Sequence, residues 1–590
     1  MTWLHRWIVD LFDALAAWFY RRKYKVVAEQ LGRPSHEAEG RRRGLIILEI
    51  DGLAYDYIRT ALKHGYMPYL ARLLLDRKLR LARWHCGLPS TTPASQAGIM
   101  YGNNWDIPGF RWYDKASGDS ILCKLPGTVR AIQVQISAGR RGLLRGGSSY
   151  TNMFDGDARL ALFTLSALGR DRVFENVRGL GFLILFALSP IRVLKAIGMS
   201  LWTWLVYVVK RFRSWLRPRG SHFTFLGPLL EIFNNIVFRE VTTFSVMVDL
   251  YRGMPAIYAA YTGYDEIAHH FGADSPEAFR ALRALDKQIR QIDRMRQVYK
   301  ERSYDLYILS DHGMTPAVPF EWAYGQPLRD LIAQHTGHEV HSAEEEQGGE
   351  GLPETRVHFL LEEVRGLEAR PHWQLPARLL YATRRRLEEH LLAERLEAEW
   401  DLSRRGEIAV RNSGSLSHIY FDVTPRQMDL SEIVLLYPTL VQTLVGHEGV
   451  GQVAGREGDK VIITSKDGTL WIGPEERQLE GEHPLSRLGD RDWAIDQIVR
   501  LVSFPHAGDL ILFGAWDGER VVCFEEQVAC HGGLGGPQDH PFVAFPPTRP
   551  LSPWQITNAE DMYDQLMAVY GGDGEGLLES LPELEDVAEP

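Results

Sequence analysis

Apolar residues fall into two kinds of pattern along this chain, and each predicts a different element. Short, nearly unbroken runs at Gly44–Ile50, Ala256–Thr262 and Asp305–Ser310 read as parallel strands buried on both faces. Each hands over at its end to acidic or histidine residues: Asp51, then Asp265 with His269, then Asp311 with His312. Open α/β sheets build their sites at the C-terminal ends of such strands. Further strand candidates are Leu416–Val423, Lys460–Ser465, Asp509–Gly514 and Val521–Phe524, while Ser275–Val298 carries helical periodicity. The pattern predicts an α/β fold, a three-layer α/β/α sandwich with a mainly parallel central sheet and helical insertions.

The longer apolar stretches fit that core less well. Residues 1–25 place Trp3, Leu4, Trp7, Ile8, Leu11, Leu15, Trp18 and Phe19 at helical spacing, with Asp10 and Asp13 between them and a basic cluster behind. This reads as an amphipathic helix lying on a membrane or docked on the protein, not as a cleavable signal peptide. The location expected is cytoplasmic, at the inner face of the membrane. The chain then divides into a linker ending at 43, core segments 44–157, 240–334 and 406–569, insertions 158–239 and 335–405, and an acidic tail at 570–590 expected to be disordered. The first insertion holds two apolar runs shorter than the roughly 20 residues that span a bilayer. The second run ends in Lys210, Arg211, Arg213, Arg217 and Arg219. A membrane-surface or re-entrant hairpin is expected, giving peripheral contact through 1–25 and 180–219, with a buried helical pair or oligomer contact as the alternative. The second insertion, rich in Glu, Arg and Leu, reads as a solvent-exposed helical cap.

Composition narrows the partners. A net charge of −10 over 590 residues argues against nucleic-acid binding, which wants a positive surface. Four cysteines without a CxxC spacing suggest neither a disulfide framework nor a cysteine zinc site.

The chemistry lies in scattered fragments: Asp51 after LIILEI, Thr92 in PSTTPASQAGIMYG, Asp265 and His269 in YDEIAHH, Asp311 and His312 in YILSDHGM, and His531 in CHGGLGG. Singly, each has a plain structural reading. A lone aspartate after a strand is commonly a cap or turn residue. Asp265 and His269, four apart, share a helical face and can reach one ion, whereas His270 points about 100° away. Asp311 and His312 can both ligate only if the backbone turns sharply, which Gly313 permits. Together the fragments supply three aspartates, three histidines and a hydroxyl, the inventory of a metal-assisted phosphoryl-transfer site.

In that order the residues resemble the type I phosphodiesterase/nucleotide pyrophosphatase family of the alkaline phosphatase superfamily, over roughly 44–125, 255–315 and 410–545. The resemblance implies an alkaline-phosphatase-like sandwich. Spacing from Pro89 and to Gly102 aligns the family's threonine nucleophile with Thr92, leaving Thr91 as its neighbour. It also implies two divalent ions, Zn²⁺ with Mn²⁺ as the alternative, one held by Asp265, His269 and His531 and the other by Asp51, Asp311 and His312, with Thr92 bridging toward phosphate. In-line attack by Thr92 would form a phosphothreonine that is then hydrolysed. The asparagine donor usual in this family has no counterpart here, and Ser95 is the nearest polar candidate, so Ser95 and Thr91 are the substrate-contact expectations.

Other chemistries of the superfamily fit less well. Cys86-Gly87-Leu88-Pro89 lacks the spacing and arginine of a sulfatase, and the serine of the cofactor-independent phosphoglycerate mutases is replaced by threonine. Phe110–Lys115 reads as either a phosphate-binding wall or aromatic packing, and His418 as structural. The expectation is a metal-dependent phosphohydrolase cleaving a phosphodiester or pyrophosphate bond in a nucleotide or lipid-linked phosphate ester. The alternatives are a phosphotransferase acting on lipid headgroups and a non-catalytic membrane-bound interaction protein that keeps the metal site.

Overall fold

The run Gly44–Ile50 forms strand β1, buried along its whole length, at the middle of a seven-stranded sheet. The computed structural model describes residues 43–168, 227–298, 302–342, 385, 408–549 and 551–571. The sheet's other strands are β2 (Arg80–Arg83), β3 (Ser148–Tyr150), β4 (Leu160–Leu162), β5 (Ala256–Tyr261), β6 (Tyr304–Leu309) and β7 (Phe542–Phe545), in the spatial order β2-β7-β6-β1-β5-β3-β4. From β6 to β4 all neighbours run parallel. At the other edge β7 runs antiparallel to both its neighbours, β6 and β2.

Alternation along β1 shows why this sheet needs cover on both sides. Ile46, Leu48 and Ile50 enter one core, while Leu45 and Ile47 enter the other. Helices α1 (Tyr55–Lys63), α2 (Pro68–Leu75), α5 (Gly227–Arg252), α6 (Gly263–Phe271) and α7 (Pro276–Val298) cover the first face. Helices α3 (Thr92–Tyr101), α4 (Pro126–Ile136) and α8 (Ala559–Tyr570) cover the second. The protein therefore has the three-layer α/β/α sandwich with a mainly parallel central sheet that the apolar runs predicted.

A second sheet of eight strands, from Val340–Ser342 to Arg477–Gly481, was not legible as such. Its neighbours are antiparallel except for Val340–Ser342 beside Ile408–Ser413. The predicted strands at 416, 460 and 509 belong to this sheet. The one at 521 pairs instead with Thr315–Pro319, which also pairs with Ala529–Cys530.

Two expected boundaries move. β4 pairs with β3 inside the stretch assigned to the first insertion, and Phe238 packs in the core, so the sandwich extends into 158–239 at both ends. Val340–Ser342 likewise puts the start of the expected cap into the second sheet. The N-terminal amphipathic helix, the 180–219 stretch, the body of the cap and the tail after 571 lie outside the described residues. Among the described residues, no helix is long and apolar enough to cross a membrane.

Candidate active site

The register of the three central strands brings their ends level. Ile50 of β1 stands beside Tyr261 of β5, and Glu49 beside Leu309 of β6. The residues that follow these strands therefore emerge side by side: Asp51 in a turn, Asp265 in the first turn of α6, and Asp311-His312 in a loop. His531 arrives from elsewhere. It follows the two-residue strand Ala529–Cys530, and the bridge between Ser90 and Gly532 holds it in place.

The side chains converge. His312 Nε2 lies 3.1 Å from Thr92 Oγ1, 3.4 Å from Asp51 Oδ1 and 3.3 Å from Asp311 Oδ2. His269 Nε2 is 3.2 Å from Asp265 Oδ2, across one helical turn, and His531 Nε2 is 3.8 Å from Asp265 Oδ1. The rings of His312 and His531 stack at 3.8 Å. Thus all seven residues singled out in the sequence meet in one cluster. They form two candidate metal-binding groups, Asp51/Asp311/His312 and Asp265/His312/His531, all buried. His269 joins the second group through its contact with Asp265.

Each histidine is oriented by a backbone carbonyl. Nδ1 of His269 lies 2.8 Å from the Ala529 oxygen, Nδ1 of His312 2.9 Å from that of Gly313, and Nδ1 of His531 2.8 Å from that of Ser90. A carbonyl oxygen only accepts, so each Nδ1 carries a proton and each Nε2 is the nitrogen that faces the carboxylates. That tautomer suits a metal ligand, and a hydrogen bond at the remote nitrogen is how ligating histidines are held.

Electrostatics point the same way. Burial, with Asp265 nearby, pushes the Asp311 carboxyl up to about 7. Burial also pushes Asp265 up, but the charge and hydrogen bond of His269 outweigh it and hold that carboxyl well below its ordinary range. Burial lowers His312, and burial with His312 alongside lowers His531 further, so both rings stay neutral and able to ligate. Three carboxylates and three imidazoles gathered out of water are costly without a compensating positive charge. The mixed nitrogen and oxygen donors fit a divalent cation of the zinc or manganese type.

The two threonines separate cleanly. Thr92 is the first residue of α3 and directs its hydroxyl at His312, whereas Thr91, the N-cap, is fully buried with no hydrogen-bond partner for its hydroxyl among the described residues. Ser95 is also fully buried, so in this arrangement neither Thr91 nor Ser95 is exposed toward a substrate. His270, on the same helix as His269, is exposed. His418 is structural: Nε2 donates to the Pro108 carbonyl at 2.8 Å and Nδ1 accepts from Gly508 N–H at 3.0 Å. Of the Phe110–Lys115 segment, Arg111 pairs with Glu525 at 3.3 Å and Lys115 with Asp509 at 2.9 Å, so its charges serve packing between elements.

Gly313 plays a different part from the one expected. Its φ is not in the left-handed region; it is small because a β-carbon there would stand 2.0 Å from the Pro537 oxygen. Supporting residues also escaped the sequence reading. Glu49, beneath Asp51, accepts from Gln96 Nε2 at 2.7 Å and from the Tyr258 hydroxyl, and Gln96 Oε1 accepts from Met153 N–H at 2.8 Å. Burial, then Asp311, pushes Glu49 up to about 8. This brace ties β1 to the helix bearing Thr92. Its one sequence signal was Gln96, an amide four residues after Thr92 in an otherwise small or apolar helix. The carbonyls of Ala529 and Ser90 carry no residue-type signal at all.

A parallel-sheet sandwich that gathers carboxylates and imidazoles around a hydroxyl presents a candidate metal-binding site at the strand ends. Residues 233–411 match the model of the family described as type I phosphodiesterase / nucleotide pyrophosphatase, the family that the sequence resembles. The matched segment holds Asp265, His269, Asp311 and His312. No curated protein sequence matches significantly. Among solved structures, the chain is similar to phosphonoacetate hydrolase from Sinorhizobium meliloti 1021 in complex with phosphonoformate, at 15% identity and a TM-score of 0.41 over 91% of this chain and 100% of that one. It is also similar to murine ectonucleotide pyrophosphatase / phosphodiesterase 5, at 10% identity and a TM-score of 0.40 over 92% and 98%.

Proposed function

We propose that the protein is a metal-dependent phosphohydrolase that cleaves a phosphodiester or pyrophosphate bond through a phosphothreonine on Thr92. The observation that carries this reading is the set of three Nε2 atoms, aimed by backbone carbonyls at the remote ring nitrogens, facing three carboxylates beside the Thr92 hydroxyl. Two divalent ions, zinc by donor type, would be held by Asp265, His269 and His531 and by Asp51, Asp311 and His312. When bound, they would neutralise phosphate charge and lower the pKa of the threonine hydroxyl.

The protein's own groups account for the rest. Thr92 heads α3, so the positive end of the helix faces the incoming phosphate. His312 sits at hydrogen-bond distance from the hydroxyl and orients it. The brace of Glu49, Gln96 and Tyr258 fixes the helix start relative to β1 and hence relative to Asp51. Such fixed placement is what phosphoryl transfer asks of a protein, since positioning and charge stabilisation supply most of its catalysis.

The test is a substrate panel headed by bis-p-nitrophenyl phosphate, run on wild type and Thr92→Ala with metal content measured in parallel. The reading expects Thr92→Ala to keep its ions and lose turnover by at least about a thousandfold, the scale on which removing an essential catalytic group acts. Retained turnover would overturn it.

A further inference from the structure

Outside the site, three metal-type ligands converge a second time. His85 lies just past β2 in the segment that leads to Thr92. Asp539 ends the turn Gly536–Asp539, and His540 follows it toward β7. His85 Nδ1 is 3.5 Å from Asp539 Oδ2, and His540 Nε2 is 3.6 Å from the same oxygen. One ligand atom from each lies within 4.8 Å of the others.

These separations are too long for good hydrogen bonds. They suit a shared ion: bonds of about 2.1 Å in tetrahedral geometry put donor atoms roughly 3.4 Å apart. A second observation concerns His85, whose Nδ1 is buried and makes no hydrogen bond among the described residues. The Asp539 side chain is only 8% exposed, while those of His85 and His540 keep 17% and 24%, which leaves a fourth position open to water. Burial lowers His540 below its ordinary range and keeps the ring neutral. The Trp493 ring, 4.6 Å from that of His85, walls one side.

We propose that His85, Asp539 and His540 form a further divalent-cation site, of the zinc class by its two imidazoles and one carboxylate, that clips the segments around the candidate active site together. Its turn already touches three of them. Cys86 N–H donates to the Asp539 carbonyl at 3.4 Å, Gly313 N–H to that of Gln538 at 2.8 Å, and Tyr55 N–H to that of His540 at 2.9 Å. An ion there would join the approach to Thr92 to the loop after His312. This inference does not depend on the reaction proposed for Thr92.

The experiment compares full-length wild type with His85→Ala/His540→Ala after equilibration with Zn²⁺ and removal of loosely held metal by gel filtration. The double variant is expected to carry one equivalent less zinc than wild type and to melt at a lower temperature; equal zinc content would overturn the site. If the double variant fails to fold, wild type alone decides: zinc should protect His85 and His540 from diethyl pyrocarbonate, read by peptide mass spectrometry. Equal labelling of both residues with and without zinc would contradict the proposal.

Discussion

A β-carbon on Gly52 would stand 2.4 Å from Oδ1 of Asp265, and Gly52 holds a φ of +71°. The turn after β1 is therefore fitted to a carboxylate delivered by a different strand, and its N–H donates to Asp311 Oδ1 at 3.3 Å. Gly52→Ala must either displace Asp265 or distort the turn. It is expected to weaken ion binding and turnover by about 10- to 100-fold, the range for groups that orient metal ligands. The left-handed conformation adds a folding cost of about 1–2 kcal/mol. Metal competition titration and steady-state kinetics check this, and wild-type ion affinity in Gly52→Ala would contradict it.

The brace under the site predicts a stability effect without any contact to substrate. Gln96→Leu removes the donor to Glu49 and the acceptor for Met153 N–H, both buried. Each buried group left unsatisfied costs about 1–3 kcal/mol. The urea midpoint of the metal-free protein should fall accordingly, and kcat should fall more than KM changes, because the start of the Thr92 helix is what loses its tie. An unchanged midpoint would show that the brace does not hold the helix.

His418 gives a pH signature separate from the candidate metal-binding residues. Burial lowers its pKa to about 4, against an ordinary 6.5. The unfolded chain then binds the extra proton first, so this group's stabilisation is full above about 6.5 and is lost as pH falls toward 4. Between pH 7 and pH 5 its share of the loss is about 2 kcal/mol. Urea unfolding should show that wild type loses more stability over this interval than His418→Gln does, by about that amount. Equal losses would remove His418 from the account.

The central fold was legible because its strands are buried on both faces. Gly44–Ile50, the run at 256 and the run at 305 announce themselves as uninterrupted apolar segments, and each ends at a polar residue of the site. The second sheet was harder for an equally physical reason. Arg477–Gly481 is exposed throughout and Val450–Glu457 is buried in only part of its length, so neither carries a continuous apolar run. Asp51, Asp265 and Asp311 could be found because strand ends announce them. His531 could be suspected only from its glycines and the family resemblance, since a two-residue strand and a single bridge position it. The cluster of His85, Asp539 and His540 lay beyond reach: more than 450 residues separate its two arms, and only the antiparallel pairing of β2 with β7 brings them together.

The account rests on Thr92 becoming covalently phosphorylated, and rapid acid quench during turnover of an activated phosphodiester, followed by peptide mass spectrometry, measures that directly. The prediction is a phosphorylated peptide with the modification at Thr92, absent in Thr92→Ala and still formed in Thr91→Val, whose altered hydroxyl is fully buried. Modification at Thr91, or steady turnover in which no phosphorylated peptide accumulates and Thr92→Ala remains active, would contradict it.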